Sequence, residues 1–505
     1  MLSSPLPRAA RSRLAERLIW TLLLSSSVVY FFWTNEADND LWGHVFFGRN
    51  ILATRMIPRV DTLAYTTAGR PWVDHEWLSQ LVMGVLYGSI GPAGLVIAKF
   101  AVAASAFALV LARLCRRATE PTIRGITGLF AIAAMARGFG IRPQVLTYLF
   151  VALLLLLLDD YQRGRRGVLW CLPAVFLLWA NLHGGFVLGL GILGLFACAD
   201  LLGQNRSPRP WFVLLASAAV TALNPYGPRL LLYVWNELSR EHPISEWQRA
   251  TFGAEHLAFF GMLALFFASL PFARDWRRHG WEVLLTLGIG LLAVRHQRHT
   301  PVFALCAAAP LASQLENARQ WVAQRSAVSF SSASRRLLGA AIIALAVTQL
   351  WLTAMHYRHY GAQIFFNPME YPVVAVRAMQ QSGARGNIAV PLDWGEYVLW
   401  FLAPQVKVSL DGRFATVFPE RVVEDNFNFF LGARGWRRLL EDYPTQAALL
   451  PAGSPCPVRS LPGWRIVYRD RQAELYVKTD SAQAIGLEAA PLQSGSEQIP
   501  VGIFP

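Results

Sequence analysis

Charge is scarce in this chain: of 505 residues only 15% are Asp, Glu, Lys or Arg, while 54% are hydrophobic and the mean hydropathy is +0.34. Apolar runs such as Val151 to Leu158 are too long and uniform for a soluble core, so the composition points to a polytopic membrane protein. Cysteine is scarce too. Of the five, Cys115, Cys171, Cys198 and Cys306 lie in or near apolar runs and Cys456 stands alone, a pattern that disfavours a disulfide framework or a thiolate metal site. No internal repeat is visible, which argues against a transporter built from repeated halves. His75-Glu76 lacks the second histidine of H-E-x-x-H, so a zincin is disfavoured. The net charge of +14 and pI near 10.0 require no nucleic-acid partner, because most arginines sit in short loops where membrane topology already explains them.

What is present is a series of apolar runs bounded by charge: 18–33, 94–114, 126–136, 145–158, 168–179, 186–202, 211–223, 257–272, 283–294, 302–311 and 337–354. The expected fold is mainly α, a polytopic helix bundle of about 11 spans with an exported C-terminal α/β domain. Arg8, Arg11, Arg13 and Arg17 precede the first run, Arg113, Arg116 and Arg117 follow the second, and Arg163, Arg165 and Arg166 follow the fourth, which places those ends in the cytoplasm. The first run has no convincing cleavage site and reads as an uncleaved anchor. The expected division is a cytoplasmic N-terminus at 1–17, a membrane domain at 18–354 with its first external loop at 34–80, an exported domain at 355–480 and a disordered tail at 481–505.

That first loop is long and rich in chemistry: Asp38, Asp40, His44, Asp61, Asp74, His75 and Glu76 gather beside a membrane without crossing it. Asp38-Asn39-Asp40 has the D-x-D form that holds a divalent cation, Mg or Mn, and His44, His75 and Glu76 supply further ligands or substrate contacts. Equally, either aspartate serves as the cap of a helix beginning near Leu41. Other arginines fall on the external side, against the topology rule: Arg137, Arg142, Arg295 and Arg298, with His296 and His299. Their functional reading is an anion clamp on phosphate oxygens; their structural reading is pairing with carboxylates or snorkelling. Asn181 and His183 in NLHGG, and Asn224 and Tyr226 in NPYG, are either hydroxyl-binding groups for a sugar or helix caps. The segment 229–255, with Glu246 and Trp247, is amphipathic enough to lie in the interface.

In the C-terminal region, 387–392 and 407–410 read as strands, 397–402 and 420–431 as helices and 464–477 as a closing hairpin. Asp393, Trp394 and Glu396 in DWGEY, and Asp411 and Arg413 in DGR, sit at strand ends where binding groups are common. Packing by Trp394 and Tyr397 and an Asp411–Arg413 ion pair account for these residues equally well.

The order of DNDLWGHVFFGRNI, IPRVDTLAYTTAGRPWVDHEWL, RPQVLTYLF, NLHGG, NPYG, LDWGEYVLWFL and KVSLDGR resembles a group of bacterial multi-spanning proteins placed with the GT-C class of membrane glycosyltransferases. That class includes oligosaccharyltransferase subunits, protein O-mannosyltransferases and aminoarabinose transferases. The resemblance departs at Gly43, where related proteins carry a second aromatic, WWH in place of WGH. It implies transfer of a sugar from a polyprenyl phosphate or diphosphate to a glycan, lipid or protein acceptor at the external face of a bacterial inner membrane. Asp40 then stands as base with Asp38 as its partner, and arginines and histidines on the departing phosphate. The rival readings are a transporter or flippase for a lipid-linked or anionic substrate, and a non-catalytic membrane scaffold.

Overall fold

Each apolar run forms helix over most of its length in the computed structural model, which describes residues 8–203, 206–238, 245–326, 331–481 and 502–505. In chain order the helices are α1 Arg8–Phe32, α2 Asn39–Thr54, α3 Trp77–Ile90, α4 Pro92–Arg117, α5 Pro121–Met135, α6 Gln144–Gln162, α7 Leu172–Leu182, α8 Phe186–Leu202 and α9 Arg209–Val220. They continue as α10 Arg229–Leu238, α11 Leu257–Ser269, α12 Trp276–Arg295, α13 Thr300–Arg325, α14 Ser332–Tyr360, α15 Val373–Gln381, α16 Leu392–Leu402, α17 Glu420–Leu431 and α18 Arg438–Glu441. Among the described residues five helical stretches, Arg13–Phe32, Pro92–Arg117, Gln144–Gln162, Ala254–Phe272 and Ala333–Tyr360, are long and apolar enough to cross a membrane. The expected count was about 11. Three further expected runs fall in the shorter apolar helices α7, α8 and α9, and α13 dilutes its apolar run with Gln314, Glu316 and Asn317. The sequence reading had no helix for the apolar α3, which begins inside the expected first loop.

Two compact units emerge. The first comprises 1–35, 96–227 and 239–362, the second 36–95, 228–238 and 363–505, so the first loop folds with the C-terminal region. In the first unit, Trp20 and Leu23 of α1 pack with Ile342 and Ala346 of α14, and Ser26 and Ser27 both donate to Gln349 Oε1, at 2.8 and 3.0 Å. A buried ionic network ties α4, α6 and α12: Arg113 reaches Asp159 at 2.9 Å and Glu282 at 2.6 Å, and Arg117 reaches the same two carboxylates. Each charge there has an opposite partner, which is the condition for burying it. Large apolar side chains of α14 such as Leu337, Val347 and Trp351 are left exposed, as a lipid-facing helix requires.

The second unit is built on a five-stranded sheet of order β2-β1-β3-β5-β4, with β1 Gly386–Ala389, β2 Val406–Val408, β3 Ala447–Pro451, β4 Trp464–Arg469 and β5 Ala473–Lys478. β1 runs parallel to β2 and β3, while β5 is antiparallel to β3 and β4. The expected strands, helices and hairpin of this region all appear, and α15, α18 and β3 are added to them. The first loop extends the sheet: Tyr65 N donates to Val408 O and Val408 N to Leu63 O, both at 3.1 Å. The unit's core includes Phe429, Ala448, Leu450 and Tyr476.

Disorder was expected over 481–505. Residues 482–501 lie outside the described set, but Gly502–Pro505 contradict that expectation for the last four: Phe504 is buried, and Phe366 N donates to Gly502 O at 2.8 Å.

Candidate active site

Asp38 sits at the N-cap of α2 with an extended backbone, and its Oδ1 accepts from Asp40 N and Leu41 N, both at 3.1 Å. The cap satisfies two of the donors a helix start leaves open. Asp40 therefore falls in the first turn, half-buried. The neighbouring Asn39 Oδ1 accepts from Tyr371 OH at 2.6 Å.

Against this turn lies Glu396 of α16. Its carboxyl is buried and accepts from Gly43 N at 2.9 Å. A Cβ on Gly43 would stand 2.2–2.3 Å from all three carboxyl atoms of Glu396, and one on Gly412 would stand 2.6 Å from Glu396 Oε1 and 3.1 Å from Asp40 Oδ1. Two glycines thus form the cradle, and the carboxyls of Asp40 and Glu396 converge on Gly412. A side chain at position 43 has no room while Glu396 occupies this place. Burial pushes the Glu396 carboxyl well above its ordinary range, and Asp40 and Asp411 push it the same way. Desolvation, then Asp40, raises Asp393 as well. Crowded carboxyls cannot all ionise, so Glu396 is the member best placed to keep a proton.

The cradle rests on an ion triad. Arg413 forks onto Asp411, with Nε at 2.8 Å and Nη2 at 2.7 Å, and its Nη1 reaches Asp61 at 2.7 Å. All three are buried, and the guanidinium lies 4.8 Å from the Trp72 ring. Burial opposes the arginine's charge, but the two aspartates more than offset it. Asp61 is therefore a structural tie between the first loop and the segment after β2. Trp394 and Tyr397 pack inward, Trp394 Nε1 donating to Glu370 O at 2.8 Å.

One turn beyond Asp40 on α2 is His44. Glu76 lies between two histidines, 3.8 Å from His44 Nδ1 and 3.8 Å from His75 Nε2, and the His75 ring packs 5.4 Å from Tyr233. Burial, then His44, lowers His75 to about 4, which keeps it neutral. Asp74 is buried, accepts from Gln80 Nε2 at 2.9 Å and leaves Oδ2 without a hydrogen bond; burial raises it to about 7. Among the described residues no group of three or more His, Cys, Asp or Glu is arranged to hold a metal ion, and Asp38 already serves as a cap.

In the first unit the structure gathers several of the expected phosphate ligands. Arg142 pairs with Glu246, Arg298 lies 4.5 Å from the Trp247 ring, and His296 Nδ1 lies 2.7 Å from Trp247 O. Burial, then Arg298 and His296, lowers His299 to about 4. Arg295 is exposed at the last turn of α12, and Arg137 pairs with Glu255 at 2.7 Å. Asn181 Nδ2 donates to Leu177 O and Leu223 O, Asn224 Nδ2 to Thr221 O and Gly227 O, and Tyr226 N to Asn224 Oδ1. His183 Nδ1 accepts from Gly185 N at 2.9 Å and lies 2.8 Å from Thr147 Oγ1. Of the segment 229–255, α10 is helical and 239–244 lies outside the described residues.

Sequence reasoning missed the glycine cradle and the Asp61 tie. The only local signal for them was a glycine in a helix and an acidic residue in a turn, and neither names its distant partner. No protein-family profile matches the chain, and no curated protein matches it. Solved structures do match: the cryo-EM structure of arabinofuranosyltransferase AftD from Mycobacteria aligns with TM-score 0.49 and 15% identity. The alignment covers 94% of this chain and 42% of that one, so the chain spans less than half of the structure it is similar to, and no residue role passes across.

Proposed function

We propose that the chain is a membrane glycosyltransferase of GT-C type that moves a sugar from a polyprenyl phosphate or diphosphate to an acceptor at the external face of a bacterial inner membrane. The observation that carries this reading is the convergence of Asp40 and Glu396 on Gly412 at the capped start of α2. The resemblance of the first-loop blocks to that class supports it from the sequence side.

In this reading Asp40 takes the proton of the acceptor hydroxyl as the new oxygen–anomeric carbon bond forms. The bond from the anomeric carbon to the carrier phosphate breaks, and its electron pair leaves on the phosphate oxygen. Glu396 holds its own proton in a buried site, and Asp40 is the group given the role of base. His44, Glu76 and Asp393 are the polar groups around Asp40 that would contact sugar or acceptor.

The test is turnover by the purified protein in nanodiscs with a panel of polyprenyl-phosphate and polyprenyl-diphosphate sugars, followed by mass spectrometry beside Asp40→Asn. Loss of transfer in the variant with carrier still bound supports the reading. Carrier binding without turnover in either protein, with EDTA, Mg or Mn, moves it to a transporter.

A further inference from the structure

We infer that Phe504 is a positioning residue for Asp40, acting through Trp42 and through the extended segment that leads into α2. The role in catalysis rests on the function proposed above; the docking itself does not.

Residues Gly502–Pro505 pin α2 from two directions. After Asp40, the Phe504 ring lies 4.5 Å from Trp42 and 5.1 Å from Trp400, and only 1% of Phe504 is exposed. Trp42 is fully buried and sits half a turn past Asp40, so whatever holds its ring fixes the rotation of the first turn. Before Asp40, Ile503 forms an antiparallel bridge with Phe365, and Phe365 forms a parallel bridge with Glu36 on its other side. Phe504 N donates to Ile364 O and Ala37 N to Phe365 O, both at 2.8 Å. The Asp38 cap thus follows directly on a segment whose strand partner is itself clamped by the C-terminal residues.

The fit is specific in sequence. A Cβ on Gly502 would stand 2.1 Å from the carbonyl oxygen of Phe366, so this backbone approach admits only glycine. Tyr87 OH donates to Pro505 O at 2.6 Å, completing the dock. An aromatic residue, a required glycine and a paired backbone over four residues describe a built slot. Its other walls come from α2, α3 and α16.

The experiment uses the full chain in nanodiscs with Phe504→Ala, Gly502→Ala and the conservative Phe504→Leu, and reads hydrogen exchange, transfer kinetics and capture of a free peptide of residues 498–505. Both disruptive variants should exchange the α2 amides about tenfold faster while α6 and α13 stay protected, the pattern of a local opening. Their kcat should fall with KM little changed, Phe504→Leu should keep most of both, and the peptide should restore α2 protection and kcat in Phe504→Ala. Unchanged α2 exchange in Phe504→Ala and Gly502→Ala overturns the inference. So does a loss of kcat that the peptide does not reverse while it restores α2 protection. Exchange and peptide capture need no sugar donor, so an active Asp40→Asn would remove the proposed function and leave the docking standing.

Discussion

Gly43→Ala is the sharpest probe of the cradle, because two known effects pull it in opposite directions. In a helix interior, alanine is worth about 1 kcal/mol more than glycine. Here its Cβ would stand 2.2–2.3 Å from the Glu396 carboxyl, where ordinary contact begins beyond 3.4 Å. The carboxyl would have to retreat by more than an ångström, yet Gly412 and Asp40 close the other side of it. Overpacking of this kind costs roughly 1–3 kcal/mol, and displacing the carboxyl from Gly43 N–H costs about 1–3 kcal/mol more. The steric and hydrogen-bond losses outweigh the propensity gain, and Gly43→Ala should destabilise the second unit by about 3 kcal/mol. With Glu396→Ala in place the space is empty, and the same substitution should be neutral or gain up to about 1 kcal/mol. The assay is unfolding of the purified protein in detergent for wild type, both single variants and the double. A Gly43→Ala that is as stable as wild type, or that costs the same with and without Glu396, refutes the cradle.

The remaining expectations follow from single interactions. Asp38→Ala should cost about 1 kcal/mol through loss of the cap yet retain turnover, whereas Asp40→Asn should keep the fold and lose about 10²–10⁴-fold in rate; similar rates in the two variants would sink the assignment of roles. Arg413→Lys keeps the charge but cannot fork onto Asp411 while reaching Asp61, so it should destabilise by about 3 kcal/mol, as breaking a buried pair does, read by the shift in thermal unfolding. Asp74, raised to about 7, favours the folded state below its unfolded value near 4 and loses that contribution as pH climbs to 7; His75, lowered to about 4, adds stability as pH rises from 4 to 6.5. The two oppose each other, each worth at most roughly 3–4 kcal/mol, so Asp74→Asn should become more stable between pH 4 and 6.5 while wild type changes little. A parallel pH profile for the two proteins in thermal unfolding would refute it.

Local signals in the chain carried far. Apolar runs bounded by arginine gave helices because burial of an apolar stretch and satisfaction of its backbone need nothing beyond neighbours in sequence. The same holds for Asp38, whose capping partners are two and three residues away, and for the helix at 420–431, whose expected bounds match α17. The first loop was legible as the place of the acidic residues. What lay beyond reach were contacts between distant segments: Gly43 with Glu396, 353 residues apart, and Asp61 with Arg413, 352 apart. A glycine in a helix carries no mark of the carboxyl that will fill its missing side chain, and Phe504 in a polar tail carries none of the aromatic slot around Trp42. By itself the sequence determined a helical chain with spans for a membrane, a capped helix at Asp38 and a small α/β region. Only tertiary structure decided that the first loop joins that region, that Glu396 stands beside Asp40 and that the last four residues lock onto α2, because each depends on close packing between surfaces that are unrelated along the chain.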